Sequence, residues 1–142
     1  MLAAVDADAH DAASLRRAYD GLLADAIETA GVDAVVAGTA LDADTVDALA
    51  DADNAAETPS VTLSEASAVL ALTTDRDADA LAADARDRLL LELSSAVLDV
   101  EALSQGLGRD VTPKELQAKM EGRHPMTLAE YAEIRGFVAG KT

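Results

Sequence analysis

The sequence predicts an all-α protein of about eight helices, set out as two units of four helices each. Apolar residues recur every three or four positions through most of the chain, and no stretch alternates convincingly at the two-residue period of a strand. Capping signatures open several of these runs and glycines close most of them. The same order of elements then occurs twice.

Leu15, Tyr19, Leu22, Leu23, Ala26 and Ile27 form the first stripe. Asp11 is its expected N-cap, since a short carboxylate accepts from free first-turn amides, and Gly31 its stop, since glycine tolerates the left-handed turn that ends helices. A short segment over 33–38 follows, then another beginning near Asp42, with Val46 and Leu49 facing inward. Thr62-Leu63-Ser64-Glu65 is a capping box, in which the threonine oxygen takes the third amide and the glutamate reaches back; its helix runs to about Thr73. A long helix over 77–97 carries Leu81, Ala85, Leu89, Leu93 and Val97 at steps of four, and a short one over 100–105 is ended by Gly106 and Gly108. Thr112-Pro113-Lys114-Glu115 sets threonine at the N-cap and proline at the first helical position, where its missing N–H is harmless. Gly122 stops that helix. Thr127-Leu128-Ala129-Glu130 is a second capping box, opening a helix with Leu128, Tyr131, Ile134, Phe137 and Val138 before Gly140.

The expected organisation is a disordered N-terminus over 1–10, an acidic helical unit over 11–74 and a second unit over 75–142. Asp42 matches Thr112 at an offset of 70 and Thr62 matches Thr127 at an offset of 65, so the first unit carries a longer loop, over 54–61. The matched caps suggest an internal duplication.

Charge is distributed unevenly. Residues 1–103 hold five arginines, no lysine and 22 acids, whereas 104–142 hold six bases and five acids; the chain's net charge is −16. Aspartate outnumbers glutamate two to one, alanine is abundant and aromatic residues are nearly absent. This combination resembles proteins of salt-accumulating halophilic archaea, in which short carboxylates hold water and cations and the loss of lysine removes exposed apolar stems. With no cysteine there is no disulfide, thiolate metal site or cysteine nucleophile. The N-terminus lacks the basic and apolar regions of a signal peptide, and the longest weakly polar run, 66–74, is less than half of the roughly 20 residues a membrane helix needs. A cytoplasmic protein without membrane contact is expected.

Residues 32–51 resemble a helix-turn-helix of the Cro and phage-repressor type, with Val35 and Leu41 packing the first helix and turn and Val46 and Leu49 seating the recognition helix. Residues 102–122 follow the same helix order with an enlarged turn at 106–110. The string PKELQAKMEGRHPMTLAEY, residues 113–131, also resembles a small uncharacterised family of haloarchaeal proteins, a likeness that implies no activity. Reading DNA requires donors for phosphates and base edges. The helix beginning near Asp42 offers Asp42, Asp44, Asp47, Asp51 and Asp53 and no base, but the second unit offers Lys114, Gln117, Lys119, Arg123 and His124. These five are the candidate contacts to a nucleic acid or a protein partner. The alternative is that they pair with Glu115, Glu121 and neighbouring acids. Salt weakens both repulsion and attraction, because the Debye length is about 3 Å at molar ionic strength and counterion release loses its drive.

No constellation points to catalysis. Asp75, Asp77 and Asp79 imitate the start of a calcium loop, but Ala80 stands where the turn needs glycine and Arg86 where it needs a bidentate glutamate. His10 lies among aspartates in a terminal segment, and His124 precedes Pro125 without a nucleophile pair around it. A phosphate loop, a nucleophile elbow and a metal-spaced histidine pair are all missing. The expectation is a non-catalytic protein-interaction or regulatory module with no cofactor and no metal, the alternative being a transcriptional regulator that binds DNA through residues 112–124.

Overall fold

The computed structural model describes residues 2, 5, 11–51, 60–107 and 111–141. His10, Gly108 and most of the 54–61 loop lie outside them, as does all of 1–10 apart from Leu2 and Val5. Among the described residues the chain forms eight helices: α1 (Ala12–Ala30), α2 (Val32–Gly38), α3 (Ala43–Ala50), α4 (Leu63–Ala71), α5 (Ala78–Ser95), α6 (Val100–Gly106), α7 (Pro113–Met120) and α8 (Leu128–Ala139). The fold is all-α, and the elements follow the capping pattern closely. Asp11, Asp42, Asp77 and Asp99 each cap a helix by accepting from the amide three residues on, at 2.7–2.8 Å. Both threonine capping boxes form in full, with Glu65 and Glu130 accepting from the Thr62 and Thr127 amides at 2.9 and 3.0 Å.

The heaviest packing crosses residue 75: α1 lies mainly against α8, and α4 mainly against α5. The last helix of each unit thus covers the long helix of the other, and one continuous apolar core runs through both. The two capping boxes meet in a backbone contact. Thr62 and Thr127 face each other in an isolated antiparallel bridge, where the Leu63 N–H donates to the Met126 carbonyl at 2.7 Å and the Leu128 N–H to the Val61 carbonyl at 2.8 Å. Each bond satisfies a first-turn amide that its own helix leaves free.

Three boundaries differ from the sequence reading. α4 ends at Ala71 and not near Thr73, with Leu72 as its C-cap. α5 ends at Ser95, so Val97 does not continue the buried stripe; it is 90% exposed, in a left-handed conformation with φ 56°. The reason lies in the helix end: the Leu98 N–H bonds back to the Leu93 carbonyl at 3.0 Å, and it is Leu98 that turns in against the core. Gly106 is the last residue of α6 and not its stop, because the Phe137 side chain from α8 occupies the space where a Cβ would stand.

Candidate interaction surface

α7 buries Leu116, Ala118 and Met120 and turns Lys114, Glu115, Gln117 and Glu121 to solvent. Beyond it the Arg123 and His124 amides both donate to the Ala118 carbonyl, at 2.8 and 3.2 Å, and Gly122 takes the positive φ of 84° that this closing turn demands. The turn delivers Met126 to the core and leaves Arg123, His124 and Pro125 exposed.

The five residues singled out from the sequence are spread over neighbouring depressions. Lys114, Gln117 and Arg123 line a shallow groove of about 490 Å³ together with Pro113 and with Asp99, Val100 and Glu101 from the start of α6. Lys119 and His124 line a second depression with Glu115 and Pro125. Most of the polar reach of the five is already engaged. Lys119 is half-buried and donates to Glu130, the glutamate of the α8 capping box, so it ties α7 to the start of α8. Gln117 donates to Glu121 at 2.8 Å, and Arg123 donates to the same carboxylate at 2.8 Å. These hydrogen bonds, Gln117 first and then Arg123, hold the Glu121 carboxyl below its ordinary range. Lys114 and His124 are exposed, and Lys114 faces the groove.

On the other unit, Val35, Leu41, Val46 and Leu49 are buried as the spacing implied, and Asp44, Asp47 and Asp51 are exposed. No lysine or arginine occurs between Arg17 and Arg76, so α2, α3 and α4 carry no basic side chain. On α5, Leu90 and Leu91 are 40% and 60% exposed, beside Asp87 and Arg88.

The polar cluster that sequence reasoning missed is internal. Arg135 of α8 is fully buried and grips Glu92 of α5 with two parallel bonds, Nε to Oε1 at 2.8 Å and Nη2 to Oε2 at 2.7 Å. Its Nη1 donates to the Tyr19 hydroxyl at 2.7 Å and to the Leu2 carbonyl at 3.2 Å. Tyr131 packs 5.6 Å from both the Tyr19 ring centre and the guanidinium, and its hydroxyl donates to the Ala85 carbonyl at 2.8 Å. Burial pushes both phenols above their ordinary value of 10.0. Burial also works to raise the Glu92 carboxyl, but hydrogen bonds and charge from Arg135 and Arg88 outweigh it and the net direction is downward. The group joins α1, α5 and α8 with Leu2. A sequence signal existed: Arg135 sits four residues after Tyr131 and three before Val138, inside an apolar helix face where a charge demands a partner.

Asp77 is engaged as the α5 N-cap, and no trio of His, Asp or Glu among the described residues is arranged to hold a metal ion. None of their helices is long and apolar enough to cross a membrane.

The described residues define an all-helical protein. The chain belongs to a family of unknown function, DUF5791, which matches residues 15–141 and so takes in all of α2 to α8 and nearly all of α1. No curated protein and no solved structure matches it.

Proposed function

We propose that this protein is a non-catalytic interaction module of the cytoplasm of salt-accumulating archaea, and that it engages a protein partner through the acidic face of α3. The observation that carries this reading is the contrast between the two candidate recognition helices. Asp44, Asp47 and Asp51 are exposed on α3 with no cation on α2, α3 or α4 to neutralise them, whereas Lys119, Gln117 and Arg123 around α7 are bound to the protein's own Glu130 and Glu121. A DNA-reading helix would need those donors free. Selection from a random duplex library in molar potassium chloride tests the choice, with no enriched sequence expected.

A DNA-binding regulator is the second reading, favoured by Lys114, which is exposed near the N-terminus of α7. Residues 112–124 would then approach the duplex, with Lys114 and Gln117 toward base edges.

We further propose that the two units are copies of one helix-turn-helix-like ancestor, fused in a single chain. Gly38 and Gly106 are the last residues of α2 and α6, and each is overlaid by a large side chain, Leu72 and Phe137, which stand ten residues after Thr62 and Thr127 respectively. Gly31 and Val97, just past the ends of α1 and α5, both take positive φ, at 90° and 56°. The reciprocal bonds between the capping boxes are what a two-fold relation between copies produces. Membership in the halophilic group is supported by the composition alone.

A further inference from the structure

The start of α4, the middle of α5 and the turn after α7 enclose a pocket of about 340 Å³ whose walls are Thr62 and Ser64, Arg86, and residues 122–125. In a chain of net charge −16 this lining holds two arginines, a histidine and two hydroxyls and no carboxylate. The geometry points to a binding site for a small tetrahedral oxyanion, inorganic phosphate or a phosphate monoester, held chiefly by Arg86.

Arg86 is the centre of the argument. Its Nε is buried with no hydrogen-bond partner, and no carboxylate pairs with its guanidinium among the described residues. A half-buried guanidinium without a counter-charge is costly, and the cost falls when an oxyanion in the pocket supplies the charge and accepts from the terminal nitrogens. The turn lies against it: a Cβ on Gly122 would stand in ordinary contact with the Arg86 Cζ and Nε, at 3.4 Å, while the positive φ of 84° is what calls for glycine there. Opposite stands the first turn of α4. The Leu63 amide is taken by Met126 and the Glu65 amide by the Thr62 hydroxyl, but the Ser64 amide has no acceptor in its own helix and its hydroxyl is exposed. Arg123, although bound to Glu121 through Nε and Nη2, keeps Nη1 for a ligand. A planar fork, a helix-start amide and a hydroxyl around one small space match the several acceptor oxygens of a phosphoryl group.

The test is a titration of the isotope-labelled full-length protein with potassium phosphate in molar potassium chloride, read from amide shifts. Saturable shifts confined to Ser64 and residues 122–124 are expected, weakened by about tenfold, or about 1.4 kcal/mol, in Arg86→Gln. Ser64→Asp is the second variant: it sets a carboxylate in the pocket while favouring the helix start, so it abolishes binding without threatening the fold. Lys141→Gln, remote from the pocket, leaves the titration unchanged. Glycerol phosphate separates the two sources of the anion: binding at the same amides tighter than phosphate assigns an ester, and equal or weaker binding assigns the free anion. Absence of saturation, equal shifts in Ser64→Asp, or displacement of phosphate by a DNA duplex at far lower concentration would each overturn the assignment.

Discussion

The ring of Phe137 rests on Gly106: a Cβ built on that glycine would stand 2.1 Å from the ring's Cζ, well inside contact distance. Leu72 bears on Gly38 in the other half with less force, its Cδ2 3.0 Å from the corresponding point. Since Phe137 is partly buried against the core and Leu72 is 40% exposed, Leu72 has more room to move aside.

Gly106→Ala is therefore expected to destabilise the protein by about 1–3 kcal/mol, the usual cost of overpacking. Gly38→Ala should be close to neutral, because about 1 kcal/mol of helix propensity offsets a small side-chain shift. Thermal melts of the two variants check the difference, and Phe137→Leu should restore most of the Gly106→Ala loss. Equal effects at both glycines would contradict the packing argument.

Breaking the buried pair from one side should be severe. Glu92→Gln leaves Arg135 charged and buried without its counter-charge, with one acceptor oxygen where the carboxylate offered two, at a cost of about 3–5 kcal/mol, whereas the double change Glu92→Leu with Arg135→Met should cost far less. The pH dependence has a definite sign. The folded carboxyl of Glu92 lies below its ordinary 4.5, so its contribution is fully present above that pH and is lost as pH falls through the lowered folded value. Denaturant titrations at neutral and strongly acidic pH should show the gap between wild type and Glu92→Gln narrowing in acid.

Val97 is a β-branched residue in a left-handed conformation with its side chain in solvent. Val97→Gly removes the backbone penalty and sacrifices almost no burial, so it should stabilise the protein by about 1 kcal/mol. A lower melting temperature for this variant would contradict the assigned helix end.

Sixteen net negative charges on so small a body repel one another in dilute buffer. Helix content and melting temperature by circular dichroism should rise as potassium chloride is raised toward molar, where the screening length shrinks to about 3 Å. Values that do not change with salt would remove the support for halophilic adaptation.

The helices were legible in the sequence because their signals are local. A threonine three residues before a glutamate, or an aspartate ahead of an apolar stripe, marks a start that needs no tertiary knowledge, and each such cap formed at the expected position. Helix ends were less legible: Val97 fitted the step of four, but the choice between continuing the helix and turning Leu98 inward depends on the core that Leu98 meets. Pairing was hidden for the same reason. Lys119 reads as a surface cation until α8 brings Glu130 beside it, and the partners of Arg135 are not visible until Glu92, Tyr19 and Leu2 converge from other parts of the chain. Arg86 likewise gained its significance only when the turn at Gly122 was laid against it.

The most direct measurement is affinity recovery from native extract in molar potassium chloride, comparing the wild-type chain with an Asp44→Asn and Asp47→Asn variant. Both aspartates are exposed on α3 and neither is its N-cap, so the variant should keep the fold while losing the acidic face. A specific protein recovered by the wild type and lost by the variant is the predicted result. Recovery of the same proteins by both, or of none by either, would contradict a role for α3 in binding a protein partner.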